Sequence, residues 1–231
     1  MQSKMNTQQK FERLGATFLD SAEVIAAKLM DIRCFVFDWD GVFNNGEKAN
    51  AKGSPFSEPD SMGLNMLRFS YWLIHKTLPI TAIITGENNL TALDFAKREH
   101  LDAICLNAKN KKELLIQITN EFSVSPKQTL FVYDDILDLN AAEICHLSFC
   151  VKRDASPLFN DFIIDNGYCN YITGNEGGKH AVREIAELLI GLNGNYKETI
   201  SKRMESQGAY KKYLSIRNSV NVNIQELGWN T

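Results

Sequence analysis

Short apolar runs, each followed by a polar loop and then a helix-like pattern, recur along this chain, and a parallel sheet is the arrangement such alternation requires. The runs are Cys34 to Phe37, Ile80 to Ile84, Ala103 to Leu106, Leu130 to Tyr133 and Phe149 to Val151, with Cys169 to Thr173 as a weaker sixth. Between them, Leu114, Leu115, Ile118 and Phe122 fall on one helical stripe, and Val182, Ile185, Leu189 and Leu192 on another. Asp20 with Glu23 three residues later reads as a capping box opening a helix over 21–30. Pro79 and Pro126 stand just before runs, where a helix must already have ended. The expected fold is therefore α/β, a doubly wound parallel sheet.

At 231 residues the chain can bury one substantial core. The expected organisation is an N-terminal helical extension over 1–30, the α/β domain over 31–192, and a helical tail or arm over 193–231. In that tail Tyr196, Ile200 and Met204 share a helix stripe, and the residues after Ser215 read as an arm. The segment 41–60 is polar, with glycine and proline, and suits a short β-hairpin turning near Lys52 and Gly53; nowhere is there an insertion long enough for a separate cap domain.

No apolar run approaches a bilayer span, and the polar opening MQSKMNTQQK leads into no signal-type apolar core, so a cytoplasmic location away from the membrane is the expectation. The five cysteines are odd in number, form no C-x-x-C pair and mostly lie within apolar runs, which reads as buried thiols. A net charge of -3 gives no reason to expect nucleic acid as a partner.

Ligands of an open parallel sheet bind beyond the carboxyl ends of its strands, so the residues that end each run carry the chemistry. The first run ends in Asp38-Trp39-Asp40-Gly41, the second in Thr85-Gly86, and the fourth in Asp134-Asp135 with Asp138 beyond; Lys111 opens the helix after the third. These are the parts of a phosphoryl-transfer site. A carboxylate can attack phosphorus to form an acyl-phosphate, a role that falls to Asp38. A second carboxylate two residues on, Asp40, can protonate the leaving alkoxide and then deprotonate water. Acids facing a phosphate dianion require a hard divalent cation, expected to be Mg2+ held by Asp38, Asp134 and Asp40, the last through its carbonyl. The Thr85 hydroxyl, the backbone at Gly86 and the Lys111 ammonium would supply donors to the transferring group.

Each piece has a plainer explanation. D-x-D-G also opens calcium loops, but those need an oxygen ligand near Val42 and a glutamate near Ala49, neither of which is present. Thr85-Gly86 suits an ordinary turn and helix start. Lys111 lies among Lys109 and Lys112, as on a solvated face, and Asp134, Asp135 and Asp138 could cap a helix. Only their occurrence together and in order singles out the site. A phosphoacceptor receiver domain uses the same residue types, but with its acidic pair at the first strand, whereas here the pair comes late.

The ordered set resembles the haloacid dehalogenase superfamily of aspartyl-phosphate phosphatases, in particular its capless branch of octulosonate 8-phosphate and nonulosonate 9-phosphate phosphatases. The resemblance spans about 32–190 and rests on FDWDGVFNNG, FSEPDSMGLNML, AIITGENN, NKKELL, FVYDDILDLNAAE, LSFCVKRDASP and GGKHAVREIAELLI. It implies a Rossmann-like sheet and a magnesium-dependent phosphatase of a small phosphorylated substrate. By that resemblance Asp38 is nucleophile, Asp40 acid/base and Asp134 the third metal ligand, with Thr85 and Lys111 on the phosphate and Asp138 and Asp135 supporting. It also implies a homo-oligomer, a tetramer in which a hairpin around 47–56 and neighbouring tails close each site. The chain departs from the pattern at Trp39, at Tyr133, at Pro59 where the octulosonate enzymes usually carry arginine, and at His180 in place of a common glycine. Those departures keep a second reading open, a catalytically slack member serving as an oligomerisation module.

Overall fold

The structure is a computed structural model that describes residues 6–48 and 53–226. Five strands coincide with the apolar runs: β2 (Cys34–Phe37), β3 (Ile80–Ile84), β4 (Ala103–Leu106), β5 (Thr129–Tyr133) and β6 (Leu147–Lys152). The weaker sixth run forms β7, displaced toward the C-terminus as Tyr171–Glu176. Two short strands, β1 (Thr17–Phe18) and β8 (Asn223–Glu226), complete an eight-stranded sheet in the order β1-β7-β6-β5-β2-β3-β4-β8. Only β1 runs antiparallel to its neighbour.

Successive residues of a strand point to opposite faces, and here both faces are buried. Phe35 and Phe37 of β2 join one core cluster, while Cys34 and Val36 join the other. On the first face lie α2 (Ala22–Leu29), α3 (Glu58–His75), α4 (Leu90–Glu99), α8 (Ala181–Leu192) and α10 (Ala209–Arg217). On the second lie α5 (Lys111–Glu121), α6 (Leu139–Ala142) and α7 (Pro157–Asp165). The expected stripes point inward: Leu114, Leu115 and Ile118 are buried on one side, and Val182, Ile185 and Leu189 on the other. All five cysteines are buried and free.

Both ends of the described chain are tied into the sheet. Helix α1 (Thr7–Leu14) is closed by a capping box between Asn6 and Gln9 and leads into β1. The capping box expected at Asp20 is absent, because Ser21 is the N-cap of α2 and Asp20 instead binds Lys28 and the Asn170 amide. At the other end α9 (Tyr196–Met204) packs Tyr196 and Ile200 on the core but leaves Met204 78% exposed, so the stripe is one residue shorter than its spacing suggests. The residues read as an arm finish α10 and then lay β8 along the edge of β4. Tyr210 and Tyr213 of α10 pack on Phe69 of α3 and donate hydrogen bonds to the Asn65 side chain and carbonyl.

The hairpin expected around 47–56, turning near Lys52 and Gly53, includes residues 49–52, which lie outside the described ones. The flanking residues 42–48 and 53–57 form turns and extended chain without a strand. Among the described residues, no helix is long and apolar enough to cross a membrane.

Helices α3 and α8 cross closely at Gly63, where an added Cβ would stand 2.9 Å from the Arg183 Cα. Alanine at a helix interior normally gains about 1 kcal/mol over glycine, whereas forcing a methyl into a packed backbone contact costs about 1–3 kcal/mol. Gly63→Ala is therefore expected to lower stability by about 1 kcal/mol in denaturant titration. A gain in stability would show that the two helices can part without loss.

Candidate active site

Strand β2 has β3 on one side and β5 on the other, while the chain order runs outward from β2 in both directions. That reversal opens a crevice at the carboxyl ends of β2 and β5, the place where such sheets bind ligands. Asp38 and Asp134 are the first residues past these two strands. Asp138, in the turn of 3-10 helix at Ile136–Asp138 before α6, joins them. All three are buried, and one carboxylate oxygen from each lies within 4.8 Å of the other two.

Like charges this close repel, by roughly 3 kcal/mol per pair at an effective dielectric near 20. Two cations answer them. Lys111 Nζ lies 2.8 Å from Asp38 Oδ1 and 2.5 Å from Asp138 Oδ1. The Arg153 guanidinium, just past β6, pairs with Asp134. Burial, then Asp38, pushes the Asp134 carboxyl up, and Arg153 opposes the shift. Asp138 is pushed up by burial and Asp38 against the pull of Lys111. Burial works against the Lys111 ammonium, but Asp38 and Asp138 outweigh it and hold the lysine protonated. Three acidic donors answered by two side-chain cations leave a hard, all-oxygen set suited to a divalent ion.

Asp40 stands apart from this cluster and is held by other groups. Lys48 Nζ is 2.6 Å from its Oδ2, the Ser54 hydroxyl donates to Oδ1 at 2.6 Å, and the Asn89 amide donates to the same oxygen at 3.3 Å. Trp39, between the two acids, turns away into the core, where it stacks on Phe43 and donates from Nε1 to the Ser54 carbonyl. The loop that follows is pinned by close backbone approach. Gly41 has φ +85°, and a Cβ there would collide with the Asp134 carboxylate; a Cβ on Gly177 would strike the Gly41 carbonyl. Beyond Gly177, His180 opens α8 with its Nδ1 3.2 Å from Ser57 Oγ, which ties this end of the loop to the start of α3.

Asp38, Asp40, Gly86, Lys111, Asp134 and Arg153 are among the residues facing a cavity of about 400 Å³. Lys111 points inward while its neighbour Lys112 is half exposed and reaches Glu143. Asp135 also borders the cavity, and its side chain accepts from the Ile136 amide as the cap of the 3-10 turn. Thr85 is fully buried with its hydroxyl unpartnered among the described residues, although its amide is engaged by the Cys105 carbonyl.

Sequence reasoning passed over Arg153, Lys48, Ser54 and Asn89. Arg153 had a usable signal, since it follows a strand as Asp38 and Asp134 do, but Lys152-Arg153-Asp154 reads as a solvated charge run. The other three reach Asp40 through chain segments with no strand to mark their direction. Two of the departures noted above lie outside the site. Tyr133 is buried on the second face and donates to the Tyr168 carbonyl, and Pro59 sits exposed in the first turn of α3.

No protein-family model matches the chain. It is 30% identical over 186 residues to the 3-deoxy-D-manno-octulosonate 8-phosphate phosphatase KdsC of Escherichia coli (strain K12), a match covering 77% of this chain and 89% of that one. A crystal structure of the phosphatase of the same name from Moraxella catarrhalis, in complex with a magnesium ion, a phosphate ion and a KDO molecule, superposes with a TM-score of 0.65 at 25% identity over 78% of this chain and 98% of that one. The cobalt-bound form of the Haemophilus influenzae phosphatase shares the fold with a TM-score of 0.60 at 23% identity, over 73% of this chain and 92% of that one. The chain thus belongs to the 3-deoxy-D-manno-octulosonate 8-phosphate phosphatase family of the haloacid dehalogenase superfamily, a family of phosphoric monoester hydrolases.

Proposed function

We propose that this chain hydrolyses the phosphomonoester of a small sugar-acid phosphate, with Mg2+, through an aspartyl-phosphate on Asp38. The observation that carries the reading is the convergence of Asp38, Asp134, Asp138 and Lys111 at the switch point of the sheet. Asp38, Asp134 and the Asp40 carbonyl, with Asp138 in support, would hold the cation, which when bound screens the phosphate charge from the surrounding acids. The Asp38 carboxylate attacks phosphorus as the ester P–O bond breaks, and Asp40 gives its proton to the leaving alkoxide. Asp40 then takes a proton from water, which attacks the acyl-phosphate, releases inorganic phosphate and restores Asp38. Lys48, Ser54 and Asn89 fix where the Asp40 carboxylate points, and Lys111 presents a buried positive charge to the phosphoryl oxygens. The Thr85 hydroxyl, a buried donor without a partner among the described residues, is available to one of those oxygens.

The reading also includes a homo-oligomer, a tetramer as the family resemblance implies. Leu137 at the cavity rim is 83% exposed and Ile136 beside it 64%, apolar surface that a neighbouring subunit would cover. The departure at Trp39 is absorbed by packing, which favours a working enzyme over a slack oligomerisation module.

Three outcomes test this reading. Phosphate release from a panel of sugar-acid phosphates should require Mg2+, vanish on chelation, and drop at least about a thousandfold in Asp38→Asn; full activity in that variant excludes the mechanism. Thr85→Val should fold at least as stably as the wild type, since it removes an unpaired buried hydroxyl, yet lose roughly a hundredfold in kcat. Thermal melts across pH probe the cation. A carboxyl whose pKa is raised by folding binds its proton more tightly in the native state, so its stabilisation is complete below the usual carboxylate pKa of about 4 and is lost as pH rises toward the raised value. Without divalent cation, the stability of Asp138→Asn relative to wild type should therefore improve from about pH 5 to about pH 8, and Mg2+ should raise the wild-type Tm most at the alkaline end. A pH-independent difference would mean that Asp138 does not carry the strained charge.

A further inference from the structure

Arg153 occupies a position that none of the proposed catalytic steps uses. It stands at the junction of two cavities, the one above Asp38 and an adjoining one of about 80 Å³ bordered also by Asn45, Lys152 and Glu176. One end of its guanidinium pairs with Asp134, while its Nε is buried and unpartnered among the described residues. A guanidinium has donors only, so each of its N–H groups requires an acceptor.

The pairing with Asp134 would be weakened in the proposed cycle. A divalent cation on Asp134 would place like charges side by side, and the monovalent partner on the longer side chain is the one free to swing. Among the described residues, the other carboxylates that act on Arg153 are Asp135 and Glu176, and both already accept from other donors. Glu176, the acid of the smaller cavity, already accepts from Lys179 at 2.7 Å and from the Asp154 amide at 3.0 Å, and Asp135 caps its own turn. Displaced toward the smaller cavity, the guanidinium would present a planar fork of donors away from the phosphoryl site, a geometry that matches a carboxylate.

We propose that Arg153 is the specificity-determining residue of this site: a divalent cation displaces it from Asp134, and its guanidinium then binds the carboxylate of an acidic leaving group. Cation and acidic substrate consequently bind with positive coupling, each strengthening the affinity for the other by the same factor. The inference rests on the phosphatase reading above for its turnover test but not for its binding test.

The experiment compares the full-length wild type with Arg153→Gln in two ways. In turnover, the ratio of kcat/KM for 3-deoxy-D-manno-octulosonate 8-phosphate to that for p-nitrophenyl phosphate should fall at least about tenfold in the variant, mainly through KM. Equal losses on both substrates would place Arg153 on the phosphoryl group and overturn the proposal. In calorimetry, Arg153→Gln should bind Mg2+ more tightly than the wild type when no acid is present, because a competing cation has been removed. The octulosonate itself should tighten Mg2+ binding to the wild type and leave that of the variant unaltered. Coupling of equal size in both proteins overturns the proposal, as does Mg2+ affinity unaffected by the substitution. Should the wild type release phosphate from neither substrate, the phosphatase reading fails while the calorimetric comparison still decides the role of Arg153.

Discussion

Three carboxylates confined to one end of a sheet, out of water, form the constraint to which the surrounding structure answers. Left alone, Asp38, Asp134 and Asp138 would have to bind protons or draw in cations, because burial and mutual repulsion both oppose their charged forms. The fold brings Lys111 and Arg153 to them from two further strand ends. Neither cation could arrive by local sequence alone. Lys111 depends on β4 carrying α5 to this end of the sheet, and Arg153 on the end of β6 lying next to β5, both set by the parallel order of the strands.

Backbone geometry around the acids follows from the same crowding. The turn after β2 passes so near Asp134 that only glycine fits at residue 41, and the loop after β7 passes so near that turn that residue 177 must also lack a side chain. Glu184 holds this second loop in place. Buried in the first turn of α8, it accepts from the Tyr171 hydroxyl at 2.6 Å, from the Gly174 and Asn175 amides at 2.8 and 2.9 Å, and from the Asn175 side chain at 2.7 Å. A buried carboxylate with four donors is well satisfied, and here it fixes a glycine loop against the reactive end of another strand.

Much of this was legible beforehand because the central strands are buried on both faces and so appear as uninterrupted apolar runs whose ends carry the chemistry. The run Phe35-Val36-Phe37 announced both a strand and the aspartate after it, and Leu130 to Tyr133 did the same for Asp134. Legibility failed where the determinant is tertiary. Thr17-Phe18 and Asn223 to Glu226 carry no strand pattern of their own and become strands only because the sheet offers them an edge. Asp20 looked like a helix cap, but Lys28 and Asn170 competed for its carboxylate and Ser21 took the position. Arg153 was hidden by neighbours of the same polarity, since a charge turned inward and one turned outward read alike in a linear string.

The edge seat of β8 bears on how the chain is made. Strand β4 ends at residue 106 and β8 begins at residue 223, so the outer hydrogen-bonding edge of β4 meets its partner only after more than a hundred further residues have been synthesised. The aromatic surface of α3 around Phe69 waits longer still for Tyr210 and Tyr213. A ribosome-bound chain would thus expose an open strand edge and an apolar helix face over those intervals, and parallel pairings so distant in sequence close slowly. The segment that seals this edge is made long after the strand it covers, so the β4 edge stays open to pairing with other chains in that interval.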